Sequence, residues 1–314
     1  MRNNMLFICA QPHDLYFQWQ CEVLITNFRE HNLSDKMHIL VWYPQTGLDP
    51  GWKKLVGKYR EVKFFFYKDE GVDFNLYIPQ LRPHILKMHF KGRAEELKGK
   101  VIFYHDSDIL FNYLPDFDYL CQGDINWQSD TSSYLDYTYL TQKEKQGAIP
   151  EGTVVNKLAE IGEIDPEVIK SYDRNTGGAQ YILKDIDASF WEDVERMCLE
   201  IRKYLMVDIN QKTFASESQG FQSWCADMWA VNFSLWKRGK KTQVTPFLDF
   251  SWATDSLETY QKKPIFHNAG ATPQNKVLFF KGAWINRSPI GAKIVGVSKL
   301  FASSKYVEAI AKVK

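Results

Sequence analysis

The run Val101-Ile102-Phe103-Tyr104-His105-Asp106-Ser107-Asp108-Ile109-Leu110-Phe111 constrains this chain more than any other stretch. Its first four residues are β-branched or aromatic, follow the turn-prone Lys98-Gly99-Lys100, and are too few for a core helix. They predict a buried strand. The tip of that strand carries two carboxylates one residue apart. At i and i+2 on an extended backbone, Asp106 and Asp108 point to one face, and a slight bend lets them share one hard cation or its waters. A surface turn with two solvated acids fits the same three residues, so the rest of the chain has to decide.

Met5 to Ala10 predicts a first strand, and Asp14 to Glu30 carries helix-spaced apolar residues at Leu15, Trp19, Val23, Leu24 and Phe28. Met37 to Tyr43 predicts a second strand, the segment near Trp52 to Tyr59 a helix, and Val62 to Tyr67 a third strand. Pro83 to Phe90 reads as a helix with proline in its first turn. It leads through the charged Lys91 to Lys100 segment to the acidic strand. Alternating β and α elements imply a largely parallel sheet with ligands at the carboxyl ends of its strands, and the acid pair falls at such an end. No Gly-x-Gly-x-x-Gly follows the first strand and no Walker loop is present, which argues against a dehydrogenase or a P-loop kinase.

At 314 residues and 45% hydrophobic content, the chain can build one α/β unit with an extension. Its apolar runs fall far short of the roughly 18 residues of a membrane span, and Met5 to Ala10 is too short for a secretory core. A soluble, cytoplasmic protein without a membrane partner is expected. Cys9, Cys21, Cys121, Cys198 and Cys225 lack paired metal-type spacing and read as reduced core thiols. His13, His84, His89 and His105 form no cluster in the sequence, and the histidines are too scattered for a metal hydrolase.

Charge is unevenly spread. Val231 to Lys314 holds 14 Lys and Arg against 4 Asp and Glu, a net +10, which leaves 25 against 34, or −9, for residues 1 to 230. The C-terminal quarter is cationic, as suits phosphates or a polyanion, although solvated surface lysines would look the same.

Four later stretches carry candidate chemistry. Asp124 to Gly152 is polar and rich in tyrosine (Tyr134, Tyr137, Tyr139), either a mobile substrate loop or a surface insertion. Asn175-Thr176-Gly177-Gly178-Ala179-Gln180 puts paired glycines where backbone can approach a ligand, or where a tight turn is needed. A helix from Ser189 to Tyr204 follows, with Ser189 as N-cap and Glu192 three residues on. Phe221 to Trp236 forms an aromatic helix with Trp229, Phe233 and Trp236 on one side. Its one acid, Asp227, must pair with a cation or work in a site. Finally, Pro264 to Gly270 contains His267, a lone histidine that also fits a structural role, and Lys281-Gly282-Ala283-Trp284 offers a cation beside an aromatic plane, or a lysine beside a core tryptophan.

In this order, Asp106-Ser107-Asp108, Gly177-Gly178, Asp227 and His267 resemble the motifs of the metal-dependent nucleotide-sugar glycosyltransferases of the GT-A fold, over about residues 5 to 285. Tyr16 to Cys21, the Gly-Gly-Ala-Gln stretch and Ala226-Asp227-Met228-Trp229 look like the branch containing hydroxyproline arabinosyltransferases and peptidyl-serine galactosyltransferases. Related phage-type enzymes act on hydroxymethylated DNA bases. The resemblance implies an α/β GT-A fold, with a single Rossmann-like mixed sheet flanked by helices. The catalytic domain would span 1–285, with a nucleotide-sugar half to about 120 and an acceptor half from about 121, and a basic extension over 286–314 packing on it. It implies Mn2+ or Mg2+ on Asp106, Asp108 and His267. A UDP-sugar donor would meet Gln11, Asp106, Lys281 and Trp284, and Gly177, Gly178 and Gln180 would form a sugar or acceptor loop. Asp227 would stand beside the reacting hydroxyl, as base if the reaction inverts and as a positioning group if it retains, the outcome that the plant branch implies. The favoured acceptor is a hydroxymethylated pyrimidine in DNA, which would put a phage-encoded enzyme in the host cytoplasm. The alternatives are a glycan, lipid-linked or polypeptide hydroxyl, and a non-catalytic sugar-nucleotide or nucleic-acid binding protein.

Overall fold

The computed structural model describes residues 4–216 and 218–314. Its strands are β1 (Met5–Pro12), β2 (Met37–Tyr43), β3 (Lys63–Lys68), β4 (Val101–Tyr104), β5 (Ile109–Phe111), β6 (Asn126–Asp130), β7 (Gly177–Lys184), β8 (Thr242–Val244), β9 (Phe250–Trp252) and β10 (Ile265–His267). The helices that matter below are α1 (Leu15–Glu30), α2 (Gly51–Lys58), α3 (Leu81–Gly92), α4 (Tyr137–Gln146), α5 (Thr153–Gly162), α6 (Ala188–Lys203), α7 (Ala226–Lys237) and α8 (Ser303–Lys312). Two compact units result. One takes the chain up to Glu70, Ile102–Leu120 and Phe247–Lys314, and the other takes Gly71–Val101 and Cys121–Pro246.

In the first unit the strand order is β3-β2-β1-β4, and β1, β2 and β3 run parallel, with Phe7 opposite Met37 and His38 opposite Lys63. Parallel pairing requires a crossover. α1 supplies the one from β1 to β2, burying Trp19, Val23, Leu24 and Phe28 as its apolar spacing predicts. Phe7 is ringed by Phe28, Phe103 and Phe117 at centroid distances of 5.3 to 5.5 Å. The acidic turn leaves β4 directly above this cluster, with His105 stacked on Phe28 and its backbone N–H bonded to Ile8 O.

The run from 101 to 111 is not one continuous strand. β4 ends at Tyr104, and β5 joins a separate three-stranded sheet of order β5-β10-β9. Asn27 of α1 fixes the free edge of β5, since its amide donates to Phe111 O and accepts from Phe111 N–H. Against this small sheet lies a core of Trp19, Phe266, Phe279, Tyr306 and Ile310, the last two from α8.

In the second unit β7-β6-β8 are neighbours, with β6–β7 antiparallel and β6–β8 parallel. The sheet strands are therefore mixed, as expected, with the antiparallel β6–β7 pair set among the parallel pairs β1–β2, β2–β3 and β6–β8. α6 packs on α3 and α7, with Trp191 of α6 against Phe90 of α3. Three local expectations change here. Residues 124–152 hold β6 and α4 rather than a loop, and Tyr139 is buried with its hydroxyl accepting from Gln222 N–H. The N-cap of α6 is Asp187, which accepts from Phe190 N–H at 3.1 Å, while Ser189 bonds to Asp187 itself. Gly177 and Gly178 open β7 instead of forming a loop. Among the described residues, no helix is long and apolar enough to cross a membrane.

Candidate metal and donor site

The antiparallel register of β5 and β10 places His267 opposite Ile109, one residue from Asp108, and Asn268 N–H bonds to Asp108 O at 3.0 Å. Sheet pairing thus brings a histidine to an acid 159 residues earlier. His267 Nε2 lies 3.4 Å from Asp106 Oδ2 and 3.4 Å from Asp108 Oδ1. One ligand atom from each of the three residues falls within 4.8 Å of the others. The imidazole is clamped against Trp252 at 5.8 Å and 18°, and its buried Nδ1 has no hydrogen-bond partner among the described residues. Nε2 is therefore the ring nitrogen presented to the carboxylates. Two carboxylates and one imidazole suit a divalent ion such as manganese or magnesium, and the spacing of the three groups fits a shared ion.

Lys281 forms an ion pair with the remaining oxygen of Asp108. Burial alone would raise the Asp108 carboxyl, but Lys281 and His267 outweigh it and hold the group well below the usual carboxylate range. Burial likewise opposes the Lys281 charge, and Asp108 overcomes that opposition and raises the ammonium. Tyr16, also beside Lys281, is raised first by burial, with Lys281 acting against the rise. The cluster is thus an alternating arrangement of charges rather than a solvated turn. Of the expected residues, the first unit brings Asp106, Asp108, His267 and Lys281 together.

Two expected donor contacts sit differently. Gln11 lies within β1 rather than past it, almost fully buried, with Nε2 donating to Leu40 O at 2.8 Å and Oε1 without a partner among the described residues. Trp284 shares the short helical turn Lys281–Trp284 with Lys281 and stacks against Phe279, while Arg287 lies over its ring at 4.4 Å.

The second unit holds the other expected residues. Asp227, in the first turn of α7, is not left uncompensated in its apolar helix. Arg82 forms an ion pair with Oδ2, and the Tyr77 hydroxyl lies 2.8 Å from Oδ1 and accepts from Asp227 N–H at 3.1 Å. Gly177 and Gly178 serve close packing. A Cβ on Gly177 would stand 2.3 Å from Gln128 Cβ and 2.6 Å from Ser129 O, and one on Gly178 would stand 2.7 Å from Met228 Sδ. Ala179 follows at φ 65°, in the left-handed region that favours glycine, beside a register shift between Gln128 and Ser129. Gln180 is buried, its Oε1 accepting from Ser129 Oγ at 2.7 Å. Sequence reasoning missed Tyr77, Arg82 and Trp252. Only the lone acid in α7 pointed toward a cation, and nothing in the sequence said which one.

No protein-family model and no curated protein matches the chain. Among solved structures, the bifunctional glycosyltransferase WbbM in its apo form aligns over 98% of this chain with a TM-score of 0.51 and 12% identity. This chain spans 50% of the WbbM chain. The galactosyltransferase LgtC, in complex with donor and acceptor sugar analogues, aligns over 99% of this chain and 96% of its own, with a TM-score of 0.44 and 12% identity. Mouse xyloside xylosyltransferase 1, in apo form, covers 86% of this chain and 99% of its own, at 0.41 and 9%. The likeness to WbbM, together with the mixed sheet strands and flanking helices, defines the fold as the α/β GT-A glycosyltransferase fold.

Proposed function

We propose that this chain is a divalent-metal-dependent glycosyltransferase that moves a sugar from a nucleoside diphosphate donor, a UDP-sugar in the first instance, to a hydroxyl group. The favoured acceptor is a hydroxymethylated pyrimidine in DNA. The observation that carries this reading is the convergence of Asp106, Asp108 and His267 at 3.4 Å, with Lys281 on the outer oxygen of Asp108, in a GT-A fold. The three ligands would hold Mn2+ or Mg2+, which supplies Lewis-acid neutralisation of the departing diphosphate. Lys281 adds a second positive charge for the same anion, and the Trp252 face keeps His267 oriented. Trp284 serves the donor through the turn it shares with Lys281, since Phe279 and Arg287 lie against its ring.

Bond breaking at the anomeric carbon sends the electron pair to the diphosphate oxygen, and the acceptor oxygen forms the new bond. Asp227 stands beside the acceptor hydroxyl in this reading, as a positioning group. With Arg82 on one oxygen and Tyr77 on the other, the carboxylate is neutralised and held, which suits a positioning role in a retaining reaction better than proton abstraction. The acceptor proton then leaves with the diphosphate oxygen.

The test is nucleoside diphosphate release from a panel of sugar nucleotides with manganese, with and without hydroxymethylated DNA. Release should vanish in chelator, and full turnover in chelator refutes the reading. Turnover with a glycan or peptide hydroxyl, but not with DNA, keeps the enzyme and replaces the acceptor.

A further inference from the structure

A cavity of about 710 Å3 opens along residues 272–297 of the first unit, within the cationic C-terminal quarter. Three cations line it, Lys276, Arg287 and Lys293, and no acid does. All three are exposed, and none has a carboxylate partner among the described residues. The Arg287 guanidinium lies on the face of Trp284, which also lines the cavity together with Phe280. Cations without carboxylate partners recruit anions, and the exposed Arg287 guanidinium, a flat plane backed by the half-buried Trp284, recruits flat rings. A ligand that repeats both chemistries along its length is a single nucleic-acid strand, with phosphates for the cations and a base for the guanidinium plane.

The cavity also adjoins the candidate donor site through the backbone. Lys281 and Trp284 occupy the two ends of one four-residue helical turn, with Lys281 on Asp108 and Trp284 in the cavity wall. Trp19 Nε1 donates to Trp284 O at 3.1 Å and fixes that turn on α1.

We infer that this groove binds a single-stranded segment of nucleic acid, Lys276, Arg287 and Lys293 facing its phosphates, with Arg287, laid on Trp284, also offering its plane to a base. The inference deepens the DNA-acceptor reading above and rests on it for the biological role of the strand. The concave shape and the aromatic lining favour a strand over a flat anionic lipid surface.

The experiment uses the full chain and a fluorescein-labelled 12-nucleotide oligo-dT, read by anisotropy. Neutralising three phosphates of a single strand gives a salt slope of about −2, so raising salt from about 50 to 200 mM should weaken binding about 16-fold. The triple variant Lys276→Gln, Arg287→Gln, Lys293→Gln should lose at least tenfold in affinity at the low salt and most of that slope. Trp284→Ala should weaken binding by a similar factor, since it removes the ring that holds the Arg287 plane. Nucleoside diphosphate release without acceptor should be unchanged in the triple variant, which shows that it is folded. Equal oligonucleotide affinity in wild type and triple variant overturns the groove, even if the enzyme glycosylates DNA. Absence of binding at 50 mM salt, or triple-sensitive binding to phosphatidylserine vesicles alone, overturns it as well. Loss of the glycosyltransferase reading would show separately, as no diphosphate release from any donor.

Discussion

Asp108→Asn separates the two jobs assigned to this carboxylate, ion pairing and metal ligation. Asp108 is buried, 3.4 Å from His267 Nε2 and ion-paired to Lys281. Removing one member of a buried pair typically costs about 3 to 5 kcal/mol. The Lys281 side chain keeps 27% of its exposure, so solvent screening reduces the expected loss to about 2 kcal/mol. For 314 residues at about 2.1 cal/mol/K each, the unfolding entropy near the midpoint is about 0.66 kcal/mol/K, so that loss lowers Tm by about 3 °C. Because the folded Asp108 carboxyl is depressed, its contribution is fully present above about pH 4 and disappears only as pH falls through the folded value, so neutral pH reads it in full. Metal acts on the same scale. A divalent ion at about 100 times its dissociation constant stabilises the folded state by about 2.7 kcal/mol, or about 4 °C here. Calorimetry with and without manganese should show that gain in the wild type and none in Asp108→Asn or His267→Ala. An undiminished manganese shift in both variants would refute the assignment of ligands, and an unchanged metal-free Tm in Asp108→Asn would refute the ion-pair accounting.

Two further substitutions test the second unit. Gly177→Ala drives a Cβ into the Ser129 backbone at 2.6 Å and should cost about 3 kcal/mol, whereas Gly178→Ala meets the flexible Met228 thioether at 2.7 Å and should cost about 1 kcal/mol. Urea midpoints decide, and the reverse order would refute the packing argument. Asp193 lies 2.7 Å from Arg238 and 3.2 Å from Lys237; burial raises its carboxyl, but the two cations outweigh burial and depress it. Asp193→Asn should therefore be about 1 kcal/mol less stable than wild type at pH 7, with the gap closing as pH falls below about 4 and through the folded value. A gap that is constant with pH in unfolding experiments would exclude this origin.

The parts of this fold that could be read in the sequence are those fixed by local periodicity. β1, α1, β2 and β3 follow from spacing alone, because the apolar residues of each recur at the period of its own element, although those of β3 end half-buried. What escaped was set at a distance. The break after Tyr104 depends on β5 finding β10, about 155 residues on; the N-cap of α6 is a local exception, where Asp187 takes the place of the equally suitable Ser189. The paired glycines had two physical explanations in the sequence, ligand approach and tight geometry, and the contacts of Gly177 and Gly178 with β6 and α7 supply a third, close packing between strand and helix.

Asp227 shows best why partners are harder to read than sites. An acid amid Trp229, Phe233 and Trp236 signals a requirement for compensation, since an unpaired buried charge costs several kcal/mol. That requirement can be read from one helix, but its solution cannot: Arg82 and Tyr77 are 145 and 150 residues earlier, in segments whose own patterns concern only their local packing. The same logic separates the two acidic centres. At Asp108 the compensating charges come from His267 and Lys281, both mobile enough in chemistry to yield to a metal or a diphosphate, since imidazole is itself a ligand and the ammonium can turn to another anion. At Asp227 the partner is a guanidinium, which stays charged at every accessible pH and does not ligate metals. The first arrangement can exchange its partners, and the second holds one geometry.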